Sequence, residues 1–362
     1  MSPTPLEHRI KAMIRLGGPL SIADYMAEAL GDPEHGYYMA REAIGAAGDF
    51  VTAPEVSQMF GELIGLWAVD TWMRLGRPDP FRLVELGPGR GTLMADALRA
   101  ARIRPDFLGA ARLHLVETSP KLRARQRQAL AGGPLSPQWH DRVEEIAEGP
   151  AVVLANEFFD ALPIRQWQRV GGLWRERVVG LDADGELAFG LGAGVLTASE
   201  VPGRLAGVPE GAILETGAVA AAMMEHLAER IVRSGGALLA IDYGTAQSGI
   251  GDSFQAVRAH QPVDPLDRPG EADLTAHVDF QALATAARRA RAAVHGPMEQ
   301  GDFLLALGLA ERAGRLGADQ DEAGRARITG EVARLVSAEE MGTLFKVMAV
   351  TRPGLVPAPW GA

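Results

Sequence analysis

Val84-Glu85-Leu86-Gly87-Pro88-Gly89-Arg90-Gly91-Thr92 is the stretch on which the fold of this chain turns. The run Arg82–Leu86 predicts a strand, and the spacing of apolar residues beyond Thr92 predicts a helix through Leu98. Between them Gly87, Gly89 and Gly91 let the backbone bend off the strand and come close to a ligand without Cβ clashes. The helix start offers free N–H groups to an electronegative ligand. A plain strand-to-helix connection with spare glycines explains the pattern less well, because the glycines alternate directly after an apolar strand.

The spacing narrows the ligand. Dinucleotide folds use G-x-G-x-x-G/A, whereas here Thr92 occupies the third small position and the third glycine arrives one residue early. The phosphate-loop pattern, which needs Gly-Lys-Ser/Thr, is absent. Glu85 would repel a pyrophosphate and attract a cationic sulfonium ligand that carries an ammonium group. Glu117 ends a second strand, Leu113–Glu117, where an acid commonly takes ribose hydroxyls as a bidentate acceptor. A strand-end carboxylate capping the next helix is the alternative, and Ser119 suits that cap equally well. Trp139-His140-Asp141 reads either as a flank for an adenine or as a surface pair.

Outward from this turn, Ala151–Ala155 and Ala237–Ile241 are fully apolar strands of the kind buried in parallel sheets, and Leu344–Val350 is apolar enough to be the last strand. Strands alternating with helices predict an α/β fold with a doubly wound, mostly parallel sheet. Residues 1–80 read as a helical N-terminal extension, with Ser21 capping one helix and another running from Glu55 to Leu75. Residues 81–362 form the main domain, with a β-rich insertion at about 164–215, folded back at Gly171-Gly172, and a long polar Pro/Gly-rich loop at about 245–275.

Composition removes whole classes of function. Hydrophobic residues make up 47% and charged residues 23%, an ordinary globular balance. The net charge of −10 predicts a soluble protein and argues against nucleic-acid binding through a broad basic surface. With no cysteine, disulfides, thiolate metal sites and cysteine nucleophiles are excluded. This suits a reducing compartment, and the expected location is the cytoplasm. No apolar run is long enough to cross a bilayer, and the N-terminus lacks the pattern of a secretory signal. The histidines are scattered, so no metal is expected.

Glu85–Gly91 resembles the first motif of class I methyltransferases that use S-adenosylmethionine. More narrowly, four segments resemble the MidA-like family, whose mitochondrial members include the arginine methyltransferase of respiratory complex I assembly. They are Gly48-Asp49-Phe50-Val51-Thr52-Ala53-Pro54-Glu55, the glycine motif, Asn156-Glu157-Phe158-Phe159-Asp160-Ala161-Leu162-Pro163, and Asp273-Leu274-Thr275-Ala276-His277-Val278-Asp279-Phe280. The resemblance implies a seven-stranded Rossmann-like sheet, S-adenosyl-L-methionine at the carboxyl ends of the strands, and methyl transfer to protein arginine. It implies that Gly87, Gly89 and Gly91 cradle the methionine part, that Glu85 sits beneath its amino group, and that Glu117 holds the ribose. Thr52, with Asp49, belongs to an N-terminal loop expected to cover the cofactor. The implied partner is a protein substrate, a respiratory-complex subunit among the mitochondrial members.

Asn156-Glu157-Phe158-Phe159-Asp160 follows an apolar strand at the edge where the transferred methyl group should lie. Asn156, Glu157 and Asp160 are the catalytic candidates: a carboxylate pair there can accept bidentate hydrogen bonds from guanidinium and align it with the methyl group. Phe158 or Phe159 could stack on the planar cation. The bland alternatives are that Asp160 caps a turn, that Asn156 satisfies a strand-end backbone group, and that the phenylalanines are core. Tyr243, ending another buried strand, could reach the substrate or simply pack. Competing functions are methylation of another nitrogen or oxygen acceptor, a cofactor-binding assembly factor or chaperone, and a nicotinamide-dependent oxidoreductase. Thr92 and Glu85 disfavour the last.

Overall fold

The computed structural model describes residues 3–40, 52–197, 201, 203–205 and 207–361. Seven strands build the central sheet and are numbered here in chain order: β1 (Phe81–Leu86), β2 (Ala111–Val116), β3 (Gln138–His140), β4 (Ala151–Asn156), β5 (Gly236–Thr245), β6 (Ala293–Glu299) and β7 (Phe345–Thr351). Their order is β3-β2-β1-β4-β5-β7-β6, with a two-residue strand, Val278–Asp279, added beside the end of β5. The first five are parallel, while β7 runs antiparallel to both of its neighbours. The sheet is the doubly wound, mostly parallel one expected from the alternation of strands and helices.

Helices cover both faces, which is why β4 can be apolar from Ala151 to Ala155 and β5 from Ala237 to Ile241. Side chains alternate across a strand. Phe81 and Leu83 therefore pack on one face with helices Gln58–Arg74 and Thr92–Ala100, while Val84 and Leu86 pack on the other with Ala218–Ser234 and Phe280–Arg289. Glu85 shares the face of Leu83 by the same alternation. The strand order reverses between β1 and β4, so the chain leaving each of them flanks one crevice at the carboxyl edge, where open α/β sheets bind ligands.

The second sheet contains strands Arg165–Val170, Leu173–Leu181, Leu187–Leu196 and Ile213–Thr216, with Gly171 and Gly172 both at positive φ in the turn between the first two. Leu20–Ser21 pairs antiparallel with Val178 and Val179, which fastens the N-terminal segment to this sheet. Leu6, Ile10, Ile22, Tyr25 and Met26 bury against Ile164, Val179 and Leu274. That packing places helix Ile22–Gly31, capped by Ser21 on Asp24 N–H, along the crevice.

Two local expectations change. The helix expected over Glu55–Leu75 is divided at Ser57, which takes an extended conformation and caps Gln58–Arg74 through Met59 N–H, leaving Ala53–Val56 as a separate turn. The long polar loop contains a three-stranded sheet, Gln255–Arg258, Gln261–Val263 and Asp273–Thr275; short strands interrupted by Pro and Gly carry too little periodicity to read. Four helices between Gln300 and Leu344 separate β6 from β7. Arg312 of these helices pairs with Glu62, and Ser57 Oγ donates to Glu331. Among the described residues no helix is long and apolar enough to cross a membrane.

Candidate active site

A cavity of about 560 Å³ opens at the reversal point, within the range that takes a cofactor-sized molecule. Gly87, Gly89, Glu117, Glu157 and Phe158 line it, with Tyr38 and Met26 from the N-terminal segment on the opposite wall.

The glycine turn is left-handed at each of its three glycines, with φ of 59° at Gly87, 53° at Gly89 and 85° at Gly91. A Cβ at Gly87 would also stand 3.0 Å from the ring of Phe158. Residues with side chains pay about 1–2 kcal/mol per position for such φ values, so the sequence pattern and the backbone conformation explain each other. Gly91 is the N-cap of helix Thr92–Ala100 and packs on Gln126 rather than lining the cavity. Glu55, from the turn Ala53–Val56, accepts from Thr92 Oγ1 and pairs with Arg90, tying the N-terminal segment to the loop.

Glu117 follows β2 and reaches the cavity while 8% exposed. One carboxylate oxygen accepts from Ser119 N–H at 2.8 Å and the other from Gln126 Nε2 at 3.1 Å. A carboxylate has about four acceptor sites, so each oxygen keeps capacity for a hydroxyl. Ser119 itself caps helix Pro120–Ala129; the cap and the acid therefore coexist at this strand end. Gln126 also donates to Gly89 C=O at 2.8 Å and accepts from Trp139 Nε1 at 2.8 Å. Sequence reading missed Gln126, which is fully buried but stands in the sequence as one polar residue among many in its helix. Of Trp139, His140 and Asp141, Asp141 alone lines the cavity, paired with Arg123.

Glu85 does not line the cavity. It is 3% exposed, its Oε2 has no hydrogen-bond partner among the described residues, and burial alone pushes its pKa up to about 8. An orphaned buried acid on the strand that leads into the glycine turn, together with a cavity carboxylate that keeps acceptor capacity, fits a ligand that carries both a cation and a ribose. S-adenosyl-L-methionine has that donor set.

The loop after β4 is built differently. Glu157 has φ of 50°, unusual for a side-chain-bearing residue. Its Oε1 accepts from Ala53 N–H and Asn156 Nδ2, both at 3.0 Å. It keeps part of its surface open to the cavity, yet the surrounding protein desolvates it enough to push its pKa up to about 8; Asp160 and Asp273 add to the rise. Asn156 ends β4 with its Oδ1 unpartnered among the described residues. Phe158 lines the cavity and meets Phe159 edge-on at 5.3 Å, whereas Phe159 is core at 2% exposure.

Asp160 lies behind this wall. It is buried, does not line the cavity, and has a raised pKa from that burial. The acid pair expected at the methyl group is thus one acid at the cavity and one behind it. Tyr243 is also buried, edge-on to His277 and Phe345. Thr52 is the N-cap residue of Ala53–Val56 and stands outside the cavity lining, although the first N–H of its helix holds Glu157. Asp49, with Gly48, Phe50 and Val51, lies outside the described residues. Among the described residues no group of three or more acidic, histidine or cysteine side chains could hold a metal ion.

Comparison with known proteins agrees with this geometry. A family model described as S-adenosyl-L-methionine-dependent methyltransferase matches residues 63–298. The chain is 37% identical to the zebrafish (Danio rerio) mitochondrial protein arginine methyltransferase NDUFAF7, covering 95% of this chain and 86% of that protein. It is 38% identical to the mitochondrial NDUFAF7 homologue of Drosophila melanogaster, over 98% of this chain and 86% of the other. A Burkholderia thailandensis COG1565 superfamily member, solved bound to S-adenosyl-homocysteine, superposes with a TM-score of 0.82 at 29% identity, covering 97% of this chain and 95% of that one. The cytoplasmic location expected from the sequence is corrected by these relatives, which are named mitochondrial. Absence of cysteine excludes disulfides in every compartment, and so it never favoured the cytoplasm over another reducing space. The glycine cradle, the acid beneath it and the match over most of the chain lead to one conclusion: the chain belongs to the family of S-adenosyl-L-methionine-dependent methyltransferases.

Proposed function

We propose that this methyltransferase transfers the methyl group to an arginine guanidinium of a protein partner. The observation that carries the reading is Glu157, a desolvated carboxyl lining the same cavity as Gly87, Gly89 and Glu117. The names of the relatives, protein arginine methyltransferase, support it. A respiratory-complex subunit is the partner we favour, because the four motif segments resemble the MidA-like family and the relatives are named mitochondrial.

When bound, the cofactor supplies an electrophilic methyl group on a positively charged sulfur. The residues of this chain supply position and field. Glu157 accepts hydrogen bonds from the guanidinium and turns its nitrogen lone pair toward the methyl carbon. Phe158 offers a ring face to the planar cation beside Gly87. As the nitrogen–carbon bond forms and the carbon–sulfur bond breaks, the sulfur becomes neutral and the nitrogen sheds a proton. Glu157, with its raised pKa, is suited to take that proton. Asn156 Nδ2 and Ala53 N–H keep its other oxygen oriented.

Glu157→Gln should abolish arginine methylation and keep cofactor affinity within about threefold of the parent, since the Gln side chain keeps the shape but loses a charge-assisted acceptor pair. The assay is incubation of the purified enzyme and labelled cofactor with a protein extract from cells lacking this chain, read by mass spectrometry of arginine residues, with calorimetry for the cofactor. Full activity in the variant would end the assignment. Labelled product on lysine or on a small molecule would move it to another acceptor.

A further inference from the structure

We propose that Asp242 is a positioning residue for methyl transfer: from inside β5 its carboxylate gathers the backbone N–H groups of Phe158, Phe159 and Asp160 and so locks Glu157 into its catalytic conformation. The proposal rests on the reading of Glu157 as the acid that holds the acceptor.

Asp242 is fully buried in a strand that is otherwise apolar from Ala237 to Ile241. Its Oδ2 accepts from the N–H groups of Phe158 at 3.1 Å, Phe159 at 2.9 Å and Asp160 at 3.3 Å, while Oδ1 accepts from Tyr243 N–H at 3.0 Å. One residue earlier, Glu157 N–H donates to Ile241 C=O at 2.9 Å, continuing the parallel ladder in which Asn156 stands beside Ile241. Four successive N–H groups after β4 therefore go to two successive residues of β5. The first goes to a backbone carbonyl and the next three to a side chain.

Glu157 sits at the changeover, which is where φ turns positive. A sparsely populated backbone conformation persists only where its surroundings over-determine it. The ladder bond before Glu157 and the carboxylate contacts after it supply that constraint from both sides. Ala276 N–H closes the loop by donating to Asp160 C=O at 3.1 Å. Burial, with Asp160 and Glu157 nearby, holds the Asp242 carboxyl well above the usual carboxylate range, and the N–H donors of Phe159 and Asp160 pull against that rise. Asp242 does not line the cavity itself; it holds the backbone behind Phe158 and so acts through the loop that carries Glu157.

The geometry also predicts how an amide fails. In Asp242→Asn a single oxygen must serve both sides: turned to the loop it leaves Nδ2 against Tyr243 N–H, and turned to Tyr243 it leaves Nδ2 against the three loop N–H groups, donor against donor either way. In the second orientation the loop loses its anchor, while the glycine turn, Glu117 and Gln126 stay in place. Asp242→Asn should lower the methylation rate at saturating cofactor about a hundredfold, as a misplaced reacting group does, and leave cofactor affinity within about threefold.

Hydrogen exchange read amide by amide separates this role from mere support. In the parent protein, without acceptor, the amides of Phe158, Phe159 and Asp160 should exchange as slowly as those of β4, although they lie outside any strand. In Asp242→Asn those three should become fast while β4 and β5 stay protected. Fast exchange at 158–160 in the parent overturns the proposal, even if the variant does not fold. A variant with parental rate overturns it too, as does one that loses cofactor binding and β4 protection together. Full activity in Glu157→Gln would instead sink the reading on which the proposal rests, and the exchange pattern would still report whether Asp242 holds the loop.

Discussion

The turn after β1 and the turn after β4 face each other across one crevice, and both need backbone in the left-handed region, but they obtain it by opposite means. At Gly87, Gly89 and Gly91 the residue type removes the steric cost, and the conformation is available before anything packs on it. At Glu157 the residue type opposes the conformation, and the cost of about 1–3 kcal/mol is met by contacts from β5 and from Ala53. The difference follows from what each turn must present. The first must offer bare backbone to a ligand, so glycine is sufficient. The second must offer a carboxyl, and glycine has none.

The largest effect that tests this contrast is at the cradle. Gly87→Val places a β-branched residue at φ of 59° with its Cβ 3.0 Å from the Phe158 ring. Cofactor affinity should fall by more than about a hundredfold, because the strain and the filled cradle act together. A calorimetric titration giving near-parental affinity would show that the ligand does not use this turn.

Next in size is the pH response. The pKa values of Glu85 and Glu157 stand at about 8, against an ordinary 4.5. Between those limits the unfolded chain has released protons that the folded chain retains, so the stability of the free protein should decline as pH rises through that window. Binding of a cation reverses the preference at Glu85 by favouring its ionised form. Cofactor affinity should therefore rise about tenfold from about pH 6.5 to 7.5, and Glu85→Gln should flatten the rise. A pH-independent affinity in the parent would remove Glu85 from the binding site.

The smallest effect is the most direct comparison of the two turns. Glu157→Gly and Glu157→Ala both delete the carboxyl and its hydrogen bonds, and both are expected to be inactive. Glycine alone also relieves the left-handed φ. It should be the more stable of the two by about 1 kcal/mol, a difference of about 1–2 °C in melting temperature for a chain of this size. Equal melting temperatures would mean that the loop releases its strain when the acid is gone.

How much of this was legible depended on how locally each feature is encoded. The cradle could be read because glycine spacing, strand and helix lie within nine residues, Val84 to Thr92. Glu117 could be read because the acid follows an apolar strand at a fixed remove from the cradle. The alternation of apolar strands gave the parallel sheet, since burial on both faces leaves a compositional trace. Asn156, Glu157 and Asp160 could be picked out as a group, but their division of labour could not. Whether an acid after a strand faces the crevice or the core depends on one positive φ, and nothing in the residue type at 157 announces it. Asp242 and Gln126 were passed over because a polar residue within a buried strand or helix face has no meaning until its partners are known.

The sequence by itself determined a sheet wound on both sides, a turn made for a ligand and the absence of any cysteine chemistry. Tertiary structure decided which acid lines the cavity, in a loop whose hydrogen bonds join Phe158–Asp160 to Asp242, more than eighty residues apart in the chain. Tertiary structure also brought helix Ile22–Gly31 to the far wall of the cavity, by burying Ile22, Tyr25 and Met26 against residues from three distant segments. A local conformational preference can be written into a few adjacent residues; a buried carboxylate that orders someone else's loop acquires its role only when the two strands lie side by side.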